Sequence, residues 1–205
     1  MDMPNKQLLQ LPTVTLFGID AHDPKGLTRA ADICLSMASF GAVNIITAHN
    51  YFRGREGYSK YCIEKMDAEV QTEHVLIIHP DGYIQNPNEW DNSWLQYDYI
   101  GATWDWYNKN MVGNGGFSLR SKKLLSVLSQ IDTSMLNLHP EDDFICRKIR
   151  YWLENEHDIK FAPVEVAKRF SIEGYGLKPN YNVYRGEFGF HGRYVSGLPI
   201  PLTTK

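Results

Sequence analysis

Three short, unbroken apolar runs constrain this chain most: Val14 to Ile19 (VTLFGI), Ala42 to Thr47 (AVNIIT) and His74 to Ile78 (HVLII). Each has the length of a strand, and the lack of polar alternation predicts burial on both faces. Helical spacing fills the gaps between them. Lys25 to Phe40 puts Leu27, Ala30, Ala31, Cys34, Met37 and Ala38 on one face, with Gly41 as its stop. Ser59 to Val70 does the same with Cys62, Ile63, Met66 and Val70. The order strand–helix–strand–helix–strand predicts an α/β fold, a mostly parallel central sheet with helices on both faces and right-handed crossovers. Ligands of such sheets bind beyond the carboxyl ends of the strands. Asp20, the segment Thr47 to Asn50, and His79 to Asp81 sit at those ends. Spacing alone therefore draws three polar segments to one crevice.

The second half is less regular. Tyr99 to Trp104 (YIGATW) is expected to hold a short strand, and Val112 to Ser118 (VGNGGFS) a glycine-rich turn leading into another. Ser121 is placed to cap a helix reaching Ile131, with Leu124, Leu125, Leu128 and Ile131 inward. Pro140 opens a helix to about Glu156 with acids in its first turn. Phe161 to Phe170 is expected as a short helix or turn, and the tail from Ser171 as loop. Without a repeat, linker or low-complexity stretch, residues 1–205 are expected to form a single domain.

Charge and cysteine usage narrow the function. A formal net charge of -3 argues against broad nucleic-acid or membrane-surface binding, which needs a basic excess. Cys34, Cys62 and Cys146 are odd in number, form no CxxC pair and lie in apolar helical patterns, as buried thiols in a reducing compartment do. With no apolar run long enough to span a membrane and a polar N-terminus, the expected location is the cytoplasm, or a host's cytoplasm for a viral protein.

Five segments have side chains suited to chemistry. His79-Pro80-Asp81-Gly82 puts a carboxylate at a strand end, where Mg²⁺ or Mn²⁺ can bridge phosphates through oxygen ligands; Pro-Asp-Gly is equally a plain turn. Asn114, Gly115 and Gly116 let backbone approach a ligand, or simply form a hairpin turn. Glu141, Asp142 and Asp143 offer a general base, or merely complement a helix dipole. His191, in a glycine-rich tail, suits a metal shell or an ordinary hydrogen bond. Trp90, Trp94, Tyr97, Tyr99, Trp104, Trp106 and Tyr107 suit sugar stacking or core filling.

The order of these segments resembles the GT-A glycosyltransferase superfamily. More narrowly it is similar to small glycosyltransferase-like domains of bacteria, fungi and large DNA viruses, including the N-terminal domain of a larger algal-virus glycosyltransferase. VTLFGIDAHDP, LIIHPDGY, YDYIGATW, VGNGGFSLRS, PEDDF, EVAKRFSIE and FGFHG carry the resemblance, from Val14 to Gly192. It implies a GT-A, Rossmann-like fold with a nucleotide-binding half over about 12–82 and an acceptor and catalytic half over about 83–205. It implies transfer of a sugar from a nucleotide-diphosphate donor, a UDP-hexose or deoxyhexose, to a glycan or glycoprotein. Position by position, it puts Asp20 and Thr47 near the nucleoside, Asp81 at the diphosphate, and Asn114, Gly115 and Gly116 beside the donor sugar, and leaves His79 as a donor-binding residue that contacts ribose or a metal-bound water. It gives Mn²⁺ or Mg²⁺ the ligands Asp81 and His191, and assigns the base of an inverting transfer to Asp142 or to its neighbours Glu141 and Asp143. His79 stands where the family's DxD motif has its first acid. Two other classes remain open on the residues alone. One is a non-catalytic carbohydrate-binding domain. The other is a nucleotidyltransferase, which would carry a glycine-rich basic loop where this chain has Asp20-Ala21-His22-Asp23-Pro24.

Overall fold

The computed structural model describes residues 7–20, 22–47, 54–104, 109, 111–174 and 183–202. Ala21, Trp106, Tyr107 and the segment from Ala48 to Asn50 lie outside the described residues. The strands β1 (Leu9–Ile19), β2 (Ala38–Ile46) and β3 (His74–Ile78) run parallel, with β1 in the middle. Two short strands extend the sheet beyond β3. Strand β4 (Tyr99–Ile100) forms the edge, and β5 (Ser118–Ser121) lies between it and β3, antiparallel to both. The order is β2-β1-β3-β5-β4, so four of the five strands point one way. This is the expected α/β sheet.

Strand alternation sorts the core onto two faces. Leu16, Leu76 and Ile78 face α1 (Pro24–Leu35), which buries Leu27, Ala30, Ala31 and Cys34. Phe17, Val75 and Ile77 face the other way, toward Cys62 of α2 (Gly54–Glu64), Met66 of α3 (Met66–Glu69) and Leu125 of α4 (Lys122–Ser129). Each such aliphatic side chain stabilises the fold by roughly 1.5–3 kcal/mol. The three cysteines are buried and unpaired, as expected, and burial pushes the Cys34 thiol up to about 12. No described helix is long and apolar enough to cross a membrane.

Several boundaries differ from the sequence expectation. Helix α1 ends at Leu35, and Ala38 to Phe40 belong to β2, paired with Leu9 to Leu11. Ala38 is buried in the strand, so its apolar character fitted either element. Gly41 is therefore a strand residue, where a Cβ would come within 2.0 Å of the Pro12 carbonyl oxygen. The second helix breaks at Lys65 into α2 and α3. The helix expected from Pro140 is interrupted: α5 (Glu141–Asp143) passes into a π-helical turn, Phe144–Lys148, before α6 (Arg150–Glu156). Beyond α7 (Val164–Phe170), the supposed loop contains a parallel pair, β6 (Ser171–Glu173) and β7 (Gly189–His191). The Ser121 cap is as expected, its hydroxyl accepting from the Leu124 amide at 3.0 Å.

Candidate functional site

Parallel pairing sets Ile19 beside Ile46 and Gly18 beside Ile78, so Asp20, Thr47 and His79 leave the sheet at one edge. At the end of β3, His79 and Gly82 exchange two backbone hydrogen bonds of 3.0 Å, which makes Pro80-Asp81 a tight two-residue turn. The tail is tied to that turn: the Gly192 amide donates to the Asp81 carbonyl at 2.8 Å. His191 Nε2 thereby lies 3.7 Å from Asp81 Oδ1, and its ring meets the His79 ring edge-on, with centroids 5.5 Å apart. One ligand atom each from His79, Asp81 and His191 fall within 4.8 Å of one another.

The surroundings orient both imidazoles. His191 donates through Nδ1 to Glu173 Oε1 at 3.3 Å, because β6 and β7 pair these two residues directly. Glu173 Oε2 accepts from the Asn114 side-chain amide. Burial works against charge on His191, but Glu173, Asp81 and Asp142 outweigh it and hold the imidazole up at about 9. His79 Nε2 lies 2.8 Å from the Tyr58 hydroxyl. Burial, with His191 beside it, pushes His79 down to about 4 and keeps it neutral. Arg193 Nε stands 3.7 Å from Asp81 Oδ2 at the exposed rim.

A glycine bridge joins this cluster to the acids. Asn114 adopts φ 66°, and its side-chain oxygen accepts from the Gly116 amide at 2.9 Å. Gly116 packs on His191, where an added Cβ would come within 2.1 Å of Nε2. Gly115 donates its amide to Asp142 Oδ2 at 3.0 Å, and a Cβ there would come within 2.0 Å of Glu141 Oε1.

The three neighbouring acids have three different environments. Glu141 is buried and paired at 3.0 Å with Arg120, whose side chain is fully enclosed and lies over the Tyr99 ring at 5.1 Å. Asp143 pairs with Arg147 at 3.2 Å and Lys148 at 3.7 Å. Asp142 takes only backbone amides, from Gly115 and Asp143, among the described residues. Burial, reinforced by the charge of Glu141, pushes Asp142 up to about 6, the range of a working general base.

Beyond the end of β1, Asp20 Oδ1 accepts from the amides of His22 (2.6 Å) and Asp23 (2.8 Å), shaping the turn into α1. Thr47 borders an open cleft of about 340 Å³, together with Pro24, Lys25, Thr28, Arg29 and Asp32. The start of α1 abuts the Asp81 turn, since a Cβ on Gly26 would lie 3.0 Å from Pro80 Cβ. Of the two readings open for the aromatic residues, the described ones follow core filling. Trp94, Tyr99 and Trp104 are buried, and Trp90 and Tyr97 pack partly buried on the core, so the described members fill the interior rather than form a stacking platform.

Sequence reasoning missed Glu173, Arg120 and Tyr58. Glu173 and Arg120 stood inside the quoted segments EVAKRFSIE and VGNGGFSLRS, but neither carried a local signal of its partner.

Residues 42–191 match the model of a family described as a protein of unknown function, DUF5672. The chain belongs to the DUF5672 family. This DUF5672 member matches no curated protein by sequence. Its fold is similar to the crystal structure of a glycosyltransferase involved in the glycosylation of the major capsid of PBCV-1. The TM-score is 0.56 at 10% identity, over 89% of this chain and 92% of that one. At that identity the likeness is one of fold.

Proposed function

We propose that this chain is a glycosyltransferase that moves a sugar from a nucleotide-diphosphate donor to a glycan acceptor, with inversion at the anomeric carbon. One observation carries the proposal: Asp81 and His191 lie at one end of the Gly115-Gly116 bridge and the unpaired carboxylate of Asp142 lies at the other. The fold likeness to a glycosyltransferase supports it.

In this proposal residues 1–205 act as one unit. Asp20 and Thr47 border the nucleoside of a uridine diphosphate donor. Asp81 and His191 would hold a divalent cation, which would supply positive charge against the departing diphosphate. The donor set suits one, having a carboxylate oxygen and an imidazole whose other nitrogen is fixed by a carboxylate. Gly115 and Gly116 border the sugar, with Glu141 and His191 packed against them. Asp142 accepts the proton of the acceptor hydroxyl as that oxygen attacks the anomeric carbon from the face opposite the leaving group. Glu141 and Asp143 are engaged by Arg120 and by Arg147 and Lys148, which leaves Asp142 to take the proton.

Titration with uridine diphosphate, with and without Mn²⁺, followed by a donor-hydrolysis screen, tests the proposal. Metal-dependent nucleotide binding with sugar release is the expected result. Glycan binding that needs neither nucleotide nor metal would instead identify a carbohydrate-binding domain. Release of pyrophosphate from a nucleoside triphosphate would identify a nucleotidyltransferase.

A further inference from the structure

We propose that the site selects a borderline transition-metal dication (Mn²⁺, Co²⁺, Ni²⁺ or Zn²⁺) over Mg²⁺ and Ca²⁺, and that His79 is the residue that imposes this choice. The inference rests on a cation binding at Asp81 and His191, and adds a third ligand and a selectivity.

The argument begins with donor chemistry. Mg²⁺ and Ca²⁺ are hard ions that take oxygen almost exclusively, while imidazole nitrogen suits the later first-row metals. The described residues gather two imidazoles and one carboxylate around a common point, His79, His191 and Asp81. Two nitrogens of three protein donors are a poor shell for Mg²⁺, which gives up its waters reluctantly. They are a good one for metals that accept mixed nitrogen and oxygen ligands.

Each imidazole is also prepared to ligate. A ring has two nitrogens, and here a neighbour holds one of them. Glu173 engages Nδ1 of His191, and the Tyr58 hydroxyl engages Nε2 of His79. Outer partners of this kind fix the orientation of a ligating ring. Metal–ligand bonds of about 2.1 Å put adjacent ligand atoms roughly 3 Å apart and opposite ones roughly 4 Å apart. The cluster spans 4.8 Å at most, so binding needs a contraction of only about an ångström. Gly116 and Gly82 pack bare backbone against the His191 ring, and a Cβ on Gly116 would come within 2.1 Å of its Nε2.

The test uses the full chain, freed of metal with a chelator. Co²⁺ is followed by its visible absorption and Mn²⁺ by electron paramagnetic resonance, with Mg²⁺ as competitor, in the presence and absence of uridine diphosphate. The wild type is expected to bind Mn²⁺, Co²⁺ and Ni²⁺ in rising order of affinity. Mg²⁺ in about hundredfold excess should fail to displace them. His79→Ala should lose at least about tenfold in Co²⁺ affinity, and His79→Asp should let Mg²⁺ compete. Mg²⁺ displacing Mn²⁺ from the wild type at equal concentration would overturn the selectivity and leave the transferase proposal standing, as would His79→Ala binding Co²⁺ undiminished. If no ion of either class binds, even with nucleotide present, both proposals fall. Should His79→Ala not fold, the wild-type competition and His79→Asp decide the matter.

Discussion

The two ends of the glycine bridge solve opposite electrostatic problems. At the His191 end, polar groups converge from three distant parts of the chain, and the His191 side chain keeps 22% of its surface exposed. Its negative groups, Asp81 and Glu173, face imidazoles and the rim residue Arg193. At the Asp142 end, Glu141 is buried with its own counter-ion, Arg120. A buried ion pair stabilises little by itself, but breaking one leaves an uncompensated charge. The first end thus keeps its acids beside imidazoles and a rim guanidinium, and the second has satisfied every acid but one. Binding and proton transfer should accordingly separate under mutation.

Asp81→Ala should give the largest effect. Loss of the carboxylate is expected to lower donor turnover by about a thousandfold or more and to remove metal-dependent nucleotide binding in calorimetry. Asp142→Asn comes next, with transfer falling about 10²–10⁴-fold while nucleotide and metal titrations stay as in the wild type. If that variant also loses nucleotide binding, the two ends are not separable.

The glycines sharpen the contrast. In Gly116→Ala the new methyl meets His191 Nε2 at 2.1 Å, so metal affinity should fall. In Gly115→Ala it meets Glu141 Oε1 at 2.0 Å, so the Arg120 pair should loosen instead. Each overpacked variant should lose roughly 1–3 kcal/mol of stability in urea unfolding. Only Gly116→Ala should weaken Mn²⁺ binding.

The smallest effect concerns pH. Asp142 lies near 6 against an ordinary 3.8, because burial and Glu141 favour its neutral form in the fold. Its contribution to stability is therefore full below pH 3.8 and is lost as pH rises through about 6. The amide of Asp142→Asn never ionises, so the metal-free variant should be more stable than the wild type at pH 8 by on the order of 1 kcal/mol. The difference should vanish at pH 4 in thermal melts. Transfer by the wild type should rise with pH across the same interval.

Much of the sheet was legible because its strands are continuous apolar runs: Val14 to Ile19 and β3 are buried as expected, whereas the edge strand β2 is not buried on both faces and leaves Val43 48% exposed. The end of α1 was not, since the alternation of Ala38 to Phe40 became strand only through pairing with Leu9 to Leu11. The same distinction holds in the site. Asp81, His79 and the acids at Glu141 to Asp143 lie where a strand ends or a helix begins, and local sequence marks such places. Glu173 and Tyr58 reach the site through contacts 18 and 21 residues away along the chain. Arg120, in a short strand, gave no hint of the partner at Glu141 that makes its burial tolerable.

The pairing of β6 with β7 fixes when the site comes into being. A ribosome that has completed residue 121 has supplied every strand of the central sheet, yet neither Asp142 nor His191. A nascent chain thus has the strands of its sheet well before the tail, which brings Phe188 and Phe190 into the core and, last of the cluster, returns the His191 imidazole to the Asp81 turn.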